Sequence, residues 1–118
     1  MSKFFESEVV QKELVRMQEL YLDINKMGLL LTASQKKVQL DKMMELISLQ
    51  QTMFMRLSLC NDDESKMFME QIKEAARMLG MNPADVNAQF YEKLKDDIRG
   101  MMDRLDTCLL YTSDAADD

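Results

Sequence analysis

The spacing of apolar residues constrains the fold of this chain more than any other feature of its sequence. In four segments, apolar side chains recur at alternating steps of three and four residues, which places them on one face of an α-helix. Interruptions are rare, because the 118 residues include only three glycines and one proline. The pattern predicts an all-α fold, and a chain of this length is expected to form one domain.

The first segment predicts a helix over about residues 7–27. Its apolar stripe consists of Val10, Leu14, Met17, Tyr21 and Ile24. Either Ser2 or Ser7 can serve as its N-cap, because a serine hydroxyl accepts a hydrogen bond from the first helical turn. Gly28 falls in the same stripe, and it either ends the helix or only thins the stripe.

The second segment predicts a helix that ends near Cys60. Thr32 and Gln35 have the spacing of a capping box, and Ser34 is an alternative cap. The connection from the first helix is short, so the two helices are expected to pack as a long antiparallel hairpin.

Two further helices are expected to be shorter and to pack across the hairpin, which gives a small helical bundle. Asn61 is predicted to cap the third helix with Glu64 closing a capping box, and Gly80 is predicted to stop it. Asn82 followed by Pro83 is predicted to start the fourth helix, since proline suits the first helical position.

The last eleven residues, 108–118, lose the apolar period of the preceding segment. One back-translation of this stretch resembles the transposon adapter used in shotgun sequencing libraries, which predicts that residues 1–107 are the native domain and that the tail is adapter read-through. The alternative is an ordinary acidic tail. Without the tail the acidic residues fall from 21 to 18, and the net charge of −6 becomes −3.

Composition and charge argue against several classes of function. The chain has no His, which removes Ser-His-Asp and Cys-His catalysis and His-ligated zinc. A net charge of −6 disfavours direct binding to nucleic acid, and no apolar stretch reaches the length of a membrane span. The start of the chain does not resemble a signal peptide and two Cys make no disulfide framework, so a cytoplasmic protein is expected.

The carboxylate clusters offer little support for catalysis or metal binding. The run Asp62–Glu64 lacks the alternating acids and the glycine of a calcium loop, and helix capping explains it better. Asp96 and Asp97 lie among lysines and arginines, as on a solvated helix face. We therefore expect neither an enzyme nor a cofactor or metal site.

Methionine is the most unusual feature, with 13 residues in the chain. Methionines fill irregular cores and also form adaptable binding surfaces, and the three residues of Met53-Phe54-Met55 cannot all face one interior. Phe4 and Phe5 either staple the start of the chain to the core or serve as anchors for a partner. The candidate partner-binding residues are Phe4, Phe5, Met53, Met55 and Arg56.

Three stretches resemble a small helical family of cyanobacteria and their tailed phages that is catalogued as domain of unknown function 1825. They are the opening FFESEVVQKE at residues 4–13, FMRLSL at residues 54–59 before an acidic cap, and MLGMNP at residues 78–83. The resemblance covers about residues 1–106, and it supplies no catalytic residues. The high methionine content departs from it.

The resemblance implies a non-enzymatic protein of cyanobacteria or of their phages. Phage members of similar size are labelled late-promoter transcription accessory proteins, which implies an adaptor that binds host RNA polymerase and connects it to the replication clamp through an apolar C-terminal motif. The predicted read-through from residue 108 removes the part of the chain where this motif is expected. The alternative is a structural homo-oligomer, such as a homodimer, whose Met-rich face is its own interface.

Overall fold

The computed structural model describes the backbone of residues 3–117 and the side chains of residues 4–109. This part of the chain contains five α-helices, one 3₁₀ turn and no strand, which confirms the all-α class. The elements are α1 (Lys3–Glu6), α2 (Glu8–Met27), α3 (Ala33–Leu59), α4 (Asp63–Met78), the 3₁₀ turn (Pro83–Asp85) and α5 (Ala88–Asp117).

The boundaries of α2 follow from Ser7 and Gly28. Ser7 occupies the N-cap position in extended conformation, although its side chain makes no capping hydrogen bond, and Ser2 lies outside the described residues. Gly28 ends the helix with a φ of 74°, a backbone conformation that a side chain would strain. Gly28 therefore ends α2, and the helix does not continue through it with a missing apolar side chain.

The start of α3 confirms the predicted capping box. The Gln35 amide N–H donates to the Thr32 hydroxyl at 3.2 Å, and the Thr32 amide N–H donates to the Gln35 side chain at 3.0 Å. One turn later the buried Gln39 donates to the carbonyl oxygens of Ile24 and Gly28, at 3.4 and 3.1 Å. These bonds tie the end of α2 to the start of α3 and close the hairpin.

The start of α4 differs by one residue from the prediction. Asp62, not Asn61, occupies the N-cap position, and its carboxylate accepts hydrogen bonds from the Ser65 amide at 2.8 Å and from the Ser65 hydroxyl at 3.1 Å. A carboxylate on this buried serine satisfies two donors at once, which favours the aspartate position. Gly80 stops the helix as predicted, with a φ of 80°.

The last helix begins later and runs longer than its sequence pattern predicted. Asn82 and Pro83 start a 3₁₀ turn rather than a helix, and Val86 lies in the connection that follows. The amide N–H of Phe90 donates to the side chain of Asn87 at 3.0 Å, and α5 then continues for 30 residues. It is the longest helix, so α5 is a full-length partner of the hairpin rather than a short helix across it.

The three long helices form a layer with α3 in the middle. Both α2 and α5 run antiparallel to α3, and they barely touch each other. Polar contacts join α3 to its two neighbours along one side of the layer, which we call the polar face. These contacts are Arg16–Glu45 at 2.7 Å, Asp23–Lys42 at 3.1 Å, Lys37–Asp106 at 2.7 Å and Gln51–Glu92 at 3.1 Å.

The opposite side of the layer is apolar. Since a helix turns by 100° per residue, Met43 and Ile47 lie on the side of α3 opposite to Asp41 and Glu45. The same reasoning places apolar residues of α2 and α5 on this side. We call it the open face and define it by Tyr21, Ile24, Met43, Ile47, Leu94 and Met101, none of which is buried.

The helix α4 covers one end of this apolar side. Phe68, Met69 and Ile72 of α4 pack against a buried cluster of Phe4, Val10, Met53 and Leu57. That cluster lies where α1, the start of α2 and the end of α3 meet. The core is therefore closed at the end of the layer that carries α4, and it is open along the rest of α3.

Candidate partner-binding surface

A shallow groove lies where α1, the start of α2 and the end of α3 meet. Its volume is about 420 Å³, and we call it the N-terminal groove. It is lined by Phe4, Ser7, Val9, Val10, Arg56, Leu59 and Cys60. Two of the five predicted partner-binding residues, Phe4 and Arg56, belong to it.

The floor and the walls of the groove differ in exposure. Phe4 and Val10 are buried and form part of the core cluster. Val9 is 54% exposed and Leu59 is 85% exposed, although both side chains are aliphatic. The aliphatic walls keep apolar area in contact with water, which is unfavourable. A side chain of another protein that covers these walls would remove that area from water.

An ion pair borders the groove. The guanidinium of Arg56 contacts the carboxylate of Glu13, so α3 and α2 are joined beside the aliphatic walls. Glu6 and Glu8, on either side of Ser7 in the sequence, are exposed. Two exposed carboxylates thus lie next to the groove, and the cation of Arg56 is already paired.

The two N-terminal phenylalanines pack against the chain itself. The rings of Phe4 and Phe5 meet edge to face with centroids 4.8 Å apart, and Phe5 also contacts Phe68 at 5.6 Å. Phe4 is buried and Phe5 is half-buried. These contacts staple α1 to α4 and the core, which is the first of the two roles that the sequence allowed.

The three predicted residues on α3 lie in different surroundings. Met53 is buried in the core cluster, Arg56 is half-buried in its ion pair, and Met55 is 51% exposed but does not line the groove. The run Met53-Phe54-Met55 therefore divides between interior and surface, as its spacing required. Binding of a partner by these residues stays a prediction.

Sequence reasoning missed Val9 and Leu59, the two most exposed walls. A signal for Leu59 was present, because it lies two residues after the buried Leu57 and so points to another side of the helix. Val9 stands next to Val10 and is turned away from the core by the same geometry. Neither residue belongs to an apolar stripe, which is why the stripes did not reveal them.

A larger cavity lies on the other side of the α3 end, between α3, α4 and the 3₁₀ turn. Its volume is about 740 Å³, and Phe54, Leu57, Met69 and Val86 supply its apolar lining. Lys66, Glu70 and Lys73 stand around it. Cys60 is half-buried and borders both this cavity and the N-terminal groove.

The side chains whose pKa is shifted lie outside the N-terminal groove and take part in structural contacts. Burial raises the pKa of Tyr91, which packs against Phe54 and Phe90. The pKa of Glu92 is lowered mainly by its hydrogen bond from Lys95. Among the residues whose side chains are described, no three Cys, Asp or Glu side chains are grouped so that they could hold a metal ion.

The basic stretch near the start of α3 is engaged with partners of the same chain. The ammonium of Lys36 donates to Gln39 at 2.7 Å, Lys37 pairs with Asp106 and Lys42 pairs with Asp23. The pKa of Lys37 is raised, chiefly by the hydrogen bond to Asp106. Each of the three ammonium groups is therefore held by an oxygen of the same chain.

None of the helices in the described part of the chain has the length and apolar character that crossing a membrane requires.

Comparison with known proteins gives one match. The family model described as a domain of unknown function, DUF1825, matches residues 2–106. No curated protein and no solved structure matches the chain.

Proposed function

Since the chain belongs to the DUF1825 family, whose function is unknown, we propose a function from its surface: it is a non-catalytic protein–protein interaction module that binds its partner at the N-terminal groove. The observation that carries this proposal is the pair of exposed aliphatic walls, Val9 and Leu59, above a buried floor. A soluble domain gains binding energy at such a place, because an entering side chain finds fixed apolar walls.

The charges around the groove define the chemistry of the partner. Glu6 and Glu8 are exposed beside it, and Arg56 is paired with Glu13. The matching partner segment presents one or two apolar side chains flanked by Lys or Arg. Such a segment is attracted by the local negative charge and anchored by apolar contact.

The partner that we propose is the RNA polymerase of a cyanobacterial host. The chain would then be a phage-encoded transcription accessory factor that acts in the cytoplasm. This identity rests on the family resemblance of the sequence, and the groove supplies the place of contact. The alternative, a structural homo-oligomer, requires a different surface.

The experiment compares two valines of α2 that differ in position but hardly in exposure. Val9 is 54% exposed in the groove, and Val15 is 56% exposed outside it. The full chain, its Val9→Glu variant and its Val15→Glu variant are immobilised, and the binding of purified cyanobacterial RNA polymerase is measured by surface plasmon resonance.

We expect the full chain and Val15→Glu to bind alike, and Val9→Glu to bind at least about tenfold more weakly, because a buried valine contributes about 1.5 kcal/mol or more. Equal binding by both variants would place the contact elsewhere on the molecule. Absence of binding by the full chain would remove RNA polymerase as the partner.

A further inference from the structure

The open face leaves the layer of three long helices without a second layer. Protein domains bury their apolar faces by packing at least two layers of secondary structure. Here α4 supplies a second layer at one end alone, and Met43 and Ile47 near the middle of α3 remain half-buried. We propose that a second copy of this chain packs on the open face, so that the protein is a homodimer with two layers of long helices.

The surface area of the chain is larger than that of a compact monomer. The chain exposes 8367 Å². A compact monomer of the same mass exposes about 6,600 Å². The excess of roughly 1,700 Å² exceeds the roughly 800 Å² that each partner contributes to a stable interface.

The dimensions of the molecule agree with the area. Its radius of gyration is 17.7 Å, whereas a compact domain of this length has about 13.5 Å. The molecule measures 63 × 31 × 21 Å, so its smallest extent is about two helix diameters. A second copy on the open face would thicken the molecule in its thinnest direction.

Charged residues of both signs border the open face. The six residues that define it carry no charge, whereas Lys36 and Arg104 line the cavity beside Met101, and Asp97 lies one turn from Leu94 and Met101. The ion pairs between the long helices lie on the polar face. A second copy that packs on the open face leaves those ion pairs exposed to solvent.

Gln50 adds a polar side chain to the open face. It lies one turn from Leu46 and Ile47 on the same side of α3, and it is half-buried. A primary amide has both a donor and an acceptor, so Gln50 can form hydrogen bonds with Gln50 of a symmetry-related copy. An isologous two-fold interface brings equivalent residues together near its axis in this way.

A cavity on this side offers room for a side chain of the second copy. Its volume is about 230 Å³, and it is lined between α3 and α5 by Lys36, Leu40, Met101, Arg104, Leu105 and Cys108. Methionine at its edge can adjust its rotamers to the entering group. The N-terminal groove is a different surface from the open face, so the dimer does not depend on the partner proposed for the groove.

The test is the mass of the full chain in solution. Sedimentation velocity and light scattering are recorded between about 1 and 200 µM. We expect a species of twice the 13.8 kDa chain mass. A chain that remains at 13.8 kDa throughout this range would overturn the proposal, and binding of another protein to the same face would then assign the face to that protein.

Two pairs of variants locate the interface. Tyr21→Glu and Met101→Glu alter exposed positions of the open face, and they should weaken dimerisation at least tenfold. Leu22→Glu and Val38→Glu alter positions of similar exposure on other sides of α2 and α3, and they should leave the dimer intact. The opposite result, with the first pair dimeric and the second pair monomeric, would contradict the proposed interface.

Methionine oxidation of the unaltered chain gives a second measurement that does not depend on variants folding. Hydrogen peroxide should oxidise Met43 and Met101 more slowly at 200 µM than at 1 µM chain, because dimerisation would bury them. Met55, which is 51% exposed on another side of α3, should react equally at both concentrations. Rates that change for Met55 alone would place the contact on another surface.

Discussion

Single residues at helix ends fix where this fold turns. The capping box of Thr32 and Gln35 was readable from the sequence, because it needs two residue types three positions apart. The cap of α4 was placed one residue early, since Asn61 and Asp62 are both good caps. What decided between them was Ser65, whose amide and hydroxyl both donate to Asp62 in the folded chain.

The capping box can be tested with two neighbouring hydroxyl residues. Thr32→Ala should lower the free energy of unfolding by about 1 kcal/mol, because the Gln35 amide loses its acceptor. Ser34→Ala should change the free energy by less than about 0.5 kcal/mol, since Ser34 lies inside the first turn. Urea unfolding measures both, and equal losses would mean that the box contributes nothing specific.

The buried phenol of Tyr91 is expected to make the free energy of unfolding depend on pH in the alkaline range. Burial raises the pKa of its phenol above the ordinary value near 10, so the phenol loses its proton more readily in the unfolded chain. The stability that the neutral phenol contributes is present below pH 10 and is lost as the pH rises through the raised pKa. Tyr91→Phe should therefore lose stability less steeply above pH 10 than the unaltered chain in urea unfolding. Parallel pH profiles would contradict this assignment.

The helix boundaries match the sequence prediction where the apolar spacing and the helix-stop residues indicated the same position. The ends of α2, α3 and α4 lie within about a residue of their predicted positions, because Gly28 and Gly80 stop α2 and α4 and the apolar stripe of α3 ends just before Cys60. The start of α5 did not follow, since the cap at Asn82 produced a 3₁₀ turn. Asn87 provides a second cap five residues later, and local signals alone could not rank the two.

The same substitution at two glycines should have opposite effects. Gly80 has a φ of 80°, so Gly80→Ala should destabilise the protein by about 1 kcal/mol, although the space around it is open. Gly100 lies inside α5, and a Cβ there would meet Arg104 at an ordinary 3.6 Å. Gly100→Ala should stabilise the helix by about 0.5–1 kcal/mol. Thermal unfolding separates these outcomes, and losses of equal size would show that backbone conformation does not decide them.

At the scale of the molecule, the sequence predicted helices that pack but not a layer that stays open. Each apolar stripe shows that a helix has a buried side, whereas the orientation of one stripe relative to the next depends on how the helices pack against each other. The ion pairs of Arg16 and Lys37 lie on one side of α3, and the apolar stripes face the other. The candidate surface was only partly predictable for the same reason, since Phe4 and Arg56 were expected there and Val9 was not.

Removal of residues 108–118 tests the predicted limit of the native domain. The ion pair of Lys37 with Asp106 and the buried core cluster remain in the shortened chain. Of the described side chains that are removed, Cys108 is exposed and Leu109 is half-buried. The melting temperature should therefore change by less than about 4 °C. A fall of 8 °C or more would show that the tail is part of the folded domain.

The central position of α3 also determines how substitutions combine. Because α2 and α5 barely touch, a change in one reaches the other through α3. Double-mutant cycles between α2 and α5 should accordingly give near-zero coupling energies, whereas cycles that pair either helix with α3 should not. The sequence of α3 is thus subject to two sets of neighbours at once, while α2 and α5 can vary independently of each other.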